Sequence, residues 1–172
     1  RVLANRSEHR FDQRLGRLLP VVADDRLQAE FAEFLVHPVH RLDRGTSGVL
    51  LFALDRAIAR TLSDQFEAQH VDKTYLAVVR GHPAEAGRID HALTRQYDDY
   101  EFRNPASVAA AQDAITDYRR LAITELAQRV DRYPTSRYAL LELKPQTGRR
   151  HQLRRHLKHL AHPIIGDATY GK

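Results

Sequence analysis

The sequence predicts an α+β fold built on a mixed, mostly antiparallel sheet flanked by helices. Stretches of two-residue apolar alternation stand beside segments with a helical recurrence, and no regular strand–helix–strand repeat links them.

Residues 1–39 mix arginine, acids and short apolar stretches, with a helix expected around Leu27–Leu35 and no motif with a chemical reading. The segment His40-Arg41-Leu42-Asp43-Arg44 then leads into the turn formers Gly45-Thr46-Ser47-Gly48. The apolar run Val49–Ala53 has the length of a buried strand. Asp55 is placed to cap a helix in which Ile58, Leu62 and Phe66 recur every four residues, with an end near His70. From Lys73 to Arg80 the pattern alternates, with Tyr75, Ala77 and Val79 on one side, and Gly81-His82-Pro83 closes it as a turn. Residues 84–113, which include Asp98, Asp99 and Glu101, are polar and predict a surface excursion. Strands follow at Ala114–Leu121 and Tyr138–Leu143, the latter ending at Pro145. Thr147-Gly148 opens a helix whose Leu153, Leu157 and Leu160 predict a buried stripe.

A chain of 172 residues, 42% of them hydrophobic, can bury one sizeable core, and a single domain over 1–172 is the expectation. Lysine and arginine number 27 against 22 acids, a net charge of +5, which favours an anionic partner, nucleic acid ahead of a membrane surface. The absence of cysteine excludes disulfides, thiolate nucleophiles and cysteine–zinc sites, and suits the cytoplasm. No apolar run approaches the roughly 18 residues of a membrane span, so no membrane partner is expected. The oligomeric state is not encoded legibly; a monomer is the expectation.

Between Lys144 and Gly166 the chain carries Lys144, Arg149, Arg150, Arg154, Arg155 and Lys158 and no acid. On a helix beginning near Arg149, the four-residue spacing of Arg150, Arg154 and Lys158 fits either an ordinary solvated face or a surface that follows a phosphate backbone. His151, His156, His159 and His162 lack the four-residue pair of a helical zinc motif, and Pro163 follows directly, so no metal site is expected. His40 fits local packing or hydrogen bonding. Asp43 lies between Arg41 and Arg44, whose guanidinium groups favour an ionised carboxylate, able to act as nucleophile or base or to form a structural ion pair. Tyr75 fits core packing or stacking on a nucleobase.

The run His40-Arg41-Leu42-Asp43-Arg44-Gly45-Thr46-Ser47-Gly48-Val49-Leu50-Leu51 resembles the catalytic-aspartate motif of the RluA-type RNA pseudouridine synthases. Lys73-Thr74-Tyr75-Leu76-Ala77-Val78-Val79-Arg80-Gly81 resembles the tyrosine-bearing strand of that family. Thr147-Gly148-Arg149-Arg150-His151-Gln152-Leu153-Arg154, with His162-Pro163-Ile164-Ile165-Gly166-Asp167, resembles its third motif. Arg132–Tyr138 and Arg154–Leu160 are most similar to members that act on tRNA, at a uridine at the base of the T-arm stem. The resemblance runs from Val39 to Gly171. Two departures stand beside it: residues 1–39 lack the Asn-Lys-Pro signature usual before the aspartate motif, and family members continue with further strands past the position of Lys172.

The resemblance implies the pseudouridine synthase catalytic fold, with an active-site cleft across the sheet, and isomerisation of uridine to pseudouridine without a cofactor. It implies that Asp43 initiates detachment of the uracil, that Arg149 holds and polarises Asp43, and that Tyr75 stacks on the flipped base. Arg41 would occupy the space left by the extruded nucleotide. Arg44, Arg150, Arg154, Arg155 and Lys158 would contact RNA, offsetting the few kcal/mol that base flipping costs. A synthase acting on ribosomal RNA or at another tRNA site is the alternative within the family. A non-catalytic RNA-binding module would need the basic segment but not Asp43, Tyr75 and Arg149 together, and a metal-dependent hydrolase would need convergent ligands that these segments do not provide.

Overall fold

A computed structural model describes residues 11–12, 17–18, 36–43, 45–96, 110–130 and 132–171. The helix expected at Leu27–Leu35, the acids Asp98, Asp99 and Glu101, and Arg44 lie outside the described residues. The chain divides into two compact units, Arg1–His70 and Val71–Lys172.

In the first unit, β1 (Phe11–Asp12) pairs antiparallel with β2 (Arg17–Leu18), and β3 (His37–Pro38) with β4 (Phe52–Ala53). Helix α1 (Arg56–Glu67) starts where Asp55 accepts the backbone N–H groups of Ala57 and Ile58 at 2.7 and 3.1 Å, the cap expected from the sequence. It ends in a Schellman turn: Gln69 has φ 62°, its N–H donates to Phe66, and that of His70 donates to Gln65. The buried face carries Ala59, Leu62 and Phe66, packed on Val39 and Ala53. Ile58, expected in that stripe, is 56% exposed. A three-then-four spacing from Ala59 follows the helical period more closely than repeated steps of four, and it places Ile58 outside the stripe.

The expected buried strand Val49–Ala53 is paired only at Phe52–Ala53, and Val49 is 86% exposed. The ladder closes where Val39 N–H donates to the Leu51 carbonyl, so Val49 belongs to the loop that precedes this closure.

The second unit holds β5 (Tyr75–Arg80), β6 (Ala86–Asp90), β7 (Leu93–Thr94), β8 (Ala111–Gln112), β9 (Ile115–Leu126), β10 (Ser136–Pro145) and α2 (Gln152–His159). Four strands form an antiparallel sheet in the order β5-β10-β9-β6, while β7 and β8 pair separately. The strand β6 falls inside the stretch expected to be a surface excursion. Its inward positions are Gly87 and Ile89, and the Tyr118 ring occupies the space over Gly87, so little apolar alternation marks the strand.

Val79, Ile89, Tyr118, Ala139, Leu141, Leu143 and Leu157 form the core, with Tyr75, Ala77, Leu153, Leu160 and Ile164 packed against it. The leucines of α2 therefore face the sheet as their spacing predicts. A bulge in β9 sets Ala122 opposite Leu140 and Arg120 opposite Leu141, leaving Leu121 as the extra residue. Helix α2 begins at Gln152 rather than at Thr147-Gly148, because His151 takes the left-handed conformation (φ 54°) that keeps it out of the helix.

Candidate active site

Asp43 sits in the first unit, half-buried, in the loop between β3 and β4. The base of this loop is fixed twice. The imidazole Nε2 of His40 accepts the Leu51 N–H at 3.1 Å, and the ring stacks on Phe66 at 4.6 Å. Ser63 on α1 donates to the Val39 carbonyl at 3.3 Å. Within the loop, Thr46 N–H donates to the Asp43 carbonyl at 2.8 Å, and Arg41 is exposed. His40 thus packs and hydrogen-bonds locally, and in doing so anchors the segment that carries Asp43.

Tyr75 and Arg149 lie in the second unit. Tyr75 opens β5 opposite Leu143 and is half-buried against the core. Arg149 lies in the turn between β10 and α2, half-buried, with its Nε–H donating to the Asp113 carbonyl at 3.0 Å. Just before β5, burial lowers the pKa of Lys73, a residue for which the sequence suggested no role.

The turn around Arg149 is organised by Gln152, which is 4% exposed. Its Oε1 accepts the Thr147 hydroxyl at 2.7 Å and the Arg149 N–H at 2.9 Å. Its Nε2 donates to the Ile115 carbonyl and to Thr116 Oγ1, both at 3.0 Å. The Arg149 N–H donor on one side and the Ile115 carbonyl acceptor on the other fix the orientation of the amide. The Thr116 hydroxyl donates a hydrogen bond to Nδ1 of His156 at 2.9 Å, and Nε2 of His156 donates to the His91 carbonyl at 3.0 Å. Thr147 in turn accepts the Ile115 N–H at 3.1 Å. Thr116, Thr147, Gln152 and His156 are each buried and bonded, as a low-dielectric interior requires.

The basic segment does not form one stripe. Arg150 precedes the helix. Arg154 engages Asp167 through Nε and Nη2 at 2.6 and 2.9 Å and lies over the Tyr170 ring at 4.9 Å. Those bonds, with the N–H groups of Tyr170 and Thr169, hold the Asp167 carboxyl well below the usual carboxylate range. Arg155 donates to the Thr94 carbonyl at 2.9 Å, and Lys158 is exposed. The acid that claims Arg154 falls one residue beyond the acid-free stretch. The four histidines of this segment are held by different contacts, with His156 and His159 meeting at His91: His151 bonds Tyr170, His156 bonds Thr116 and the His91 carbonyl, His159 stacks on the His91 ring, and His162 bonds the Arg80 carbonyl. A depression of about 470 Å³ beside the β9 bulge, lined by Glu85, Arg119 and Arg120 among others, shares no residue with the three motif segments.

Residues 20–159 match the RNA pseudouridylate synthase family. The chain belongs to that family. It is 56% identical over 138 residues to the tRNA pseudouridine synthase C of Pectobacterium carotovorum subsp. carotovorum, covering 79% of this chain and 36% of that protein. The proteins of the same name from Pasteurella multocida and Haemophilus influenzae are 54% and 51% identical over 136 residues, again 79% of this chain, with 56% and 57% of those proteins covered. Among solved structures, Human RNA Pseudouridylate Synthase Domain Containing 1 superposes with a TM-score of 0.67 at 32% identity, covering 86% of this chain and 59% of that one. The chain thus spans between about a third and somewhat over half of the length of the curated relatives named here. Its α+β pseudouridine synthase fold is the one its motifs led us to expect.

Proposed function

We propose that this chain carries the pseudouridine synthase activity of its family and acts on tRNA, at a uridine at the base of the T-arm stem. The observation that supports the substrate most directly is the common name of the relatives, tRNA pseudouridine synthase C, at 51–56% identity over 136–138 residues. The reaction breaks the bond from ribose C1′ to uracil N1, forms one from C1′ to C5, and moves the C5 proton away while N1 regains one. It is a net isomerisation and calls for no cofactor.

In this reading the carboxylate of Asp43 initiates glycosidic cleavage, Arg149 holds and polarises it, and Tyr75 stacks on the base and assists proton movement at C5. Arg41 fills the gap in the RNA, and Arg44, Arg150, Arg155 and Lys158 supply phosphate contacts. The cytoplasm is the compartment that suits this substrate.

The deciding experiment replaces Asp43 by asparagine, which preserves shape while removing the charge. The variant should fold and bind tRNA nearly as well as the parent yet form no pseudouridine even at single turnover. Measurable isomerisation, with deamidation to aspartate excluded by mass spectrometry, would reject the assignment. Mapping pseudouridine in RNA from cells with and without the protein identifies the nucleotide.

A further inference from the structure

The family resemblance assigns work to Arg149 but none to Gln152, which holds the turn around it. We infer that Gln152 is a positioning residue for Arg149, and that the isomerisation rate depends on it as strongly as on a residue that meets the substrate. This rests on the catalytic reading of Arg149 above.

Arg149 is gripped at two points. Its backbone N–H enters the Gln152 Oε1 at 2.9 Å, and its side-chain Nε–H meets the Asp113 carbonyl at 3.0 Å. The Gln152 amide is itself immobilised, because both Nε2 protons go to β9, one to the Ile115 carbonyl and one to Thr116. The Gln146 N–H donates to the same Ile115 carbonyl at 2.9 Å, and Thr147 bonds both Ile115 and Gln152. The Gln152 amide thus joins the Gln146 and Thr147 bonds that hold the turn to the start of β9, and it is the one of the three that also reaches Arg149. No other residue type supplies two donors to β9 and a shared acceptor to the turn in that space. Without the amide, the Arg149 N–H loses its acceptor, while the turn keeps the Gln146 and Thr147 bonds to Ile115.

A merely structural glutamine and a positioning one predict different orders of effect. Gln152→Met keeps the volume and removes all four bonds. Gln152→Glu keeps an oxygen for Thr147 and Arg149 but turns an acceptor toward the Ile115 carbonyl, so it should melt at the lower temperature of the two. For a positioning role, single-turnover rates measured well below the melting temperatures run the other way. The methionine variant should be slower by roughly 100-fold, the scale of a misplaced reacting group, with tRNA affinity within about threefold of the parent, whereas the glutamate variant should stay within roughly 10-fold in rate. Val79→Ala, a core truncation away from the turn, gives a destabilised control whose rate should match the parent.

Rates that track melting temperature across all three variants overturn the inference. Should Gln152→Met fail to fold, Gln152→Asn takes its place, because it keeps an amide but withdraws it by one methylene: a rate slowed by roughly 100-fold with tRNA affinity near that of the parent supports positioning, and a parental rate rejects it. Arg149→Ala separates the two layers. A slow Arg149→Ala beside a normal Gln152→Met removes the positioning role alone, and a normal Arg149→Ala removes the catalytic reading of Arg149, taking the positioning role with it.

Discussion

Arg154 and Asp167 form a two-pronged ion pair, Nε to Oδ2 at 2.6 Å and Nη2 to Oδ1 at 2.9 Å, in which the Asp167 side chain is only 4% exposed. Asp167 also caps the following turn through the N–H groups of Thr169 and Tyr170. Asp167→Asn should therefore cost about 2–4 kcal/mol, toward the lower end for a broken buried pair because the arginine keeps some contact with water. The carboxyl is depressed in the folded protein, so folding excludes a proton that the unfolded chain binds below about pH 4. The stabilisation should be complete above that pH and disappear as pH falls further, through the folded-state value. Denaturant melts at neutral and acidic pH should show parent and Asp167→Asn converging in acid; a constant gap would exclude the pair as its source.

The same geometry separates Arg154 from its neighbour Lys158. Lys158→Ala should leave the melting temperature unchanged and lower the slope of log affinity for tRNA against log salt by roughly 1, the signature of one phosphate contact. Arg154→Ala should instead lower stability, since it strands Asp167. Titrations at several salt concentrations, read beside thermal melts, distinguish the two; a salt slope unmoved by Lys158→Ala would place the phosphate backbone elsewhere.

His156 is fully buried, and burial above all, then electrostatic interactions with His91, His159 and Arg155, lowers its pKa against the opposing hydrogen bond to the His91 carbonyl. The folded protein should keep it neutral, with the proton on Nε2, at a pH where an unfolded histidine is already charged. Its contribution to stability is then whole above about pH 6.5 and declines as pH falls toward the folded-state value. Nitrogen chemical shifts of the ring at pH 6 report both points, and an imidazolium signal there would contradict the network drawn around Gln152.

Helices α1 and α2 each end on a left-handed residue that is not glycine, Gln69 after α1 and Ala161 after α2, both with φ 62°. The Ala161 N–H donates to Lys158 and that of His162 to Leu157, repeating the Schellman pattern of α1. Left-handed geometry costs a residue with a Cβ about 1–2 kcal/mol, offset in part by the greater freedom glycine loses on folding. Gln69→Gly and Ala161→Gly should each stabilise by a few tenths to about 1 kcal/mol, measured by denaturant melts, and lost stability in both would show that other contacts hold these turns.

What the sequence made legible was local. The Asp55 cap, the alternation that puts Tyr75 on a strand, and the leucine stripe of α2 each rest on neighbours within a turn or two, and each reappears in the structure. The strand β6 was hidden because its inward residues are a glycine covered by Tyr118 and a single isoleucine. Gln152 was hidden because an amide between histidine and leucine in a basic stretch reads as surface; its burial follows from partners on β9, far away in sequence. The commitment of Arg154 was missed for a similar reason, its acid lying just past the segment whose charge was being weighed. Motif resemblance put forward Asp43 and Arg149 as candidates, but gave no role to Gln152, whose side chain accepts the Arg149 N–H.

The strand order β5-β10-β9-β6 also constrains the timetable of synthesis. A chain emerging from the ribosome presents β6 and β9 early enough to zip together, but β5 has β10 as its ladder partner, from Tyr75 opposite Leu143 to Arg80 opposite Tyr138. Until Ser136 and its successors have been translated, the strand that begins with Tyr75 lacks its ladder partner, and Val79, fully buried in the finished fold, has no core to enter. A ribosome stalled in the β9–β10 connection would therefore expose a segment suited to chaperone capture or to pairing with another nascent chain, and release would come only with β10.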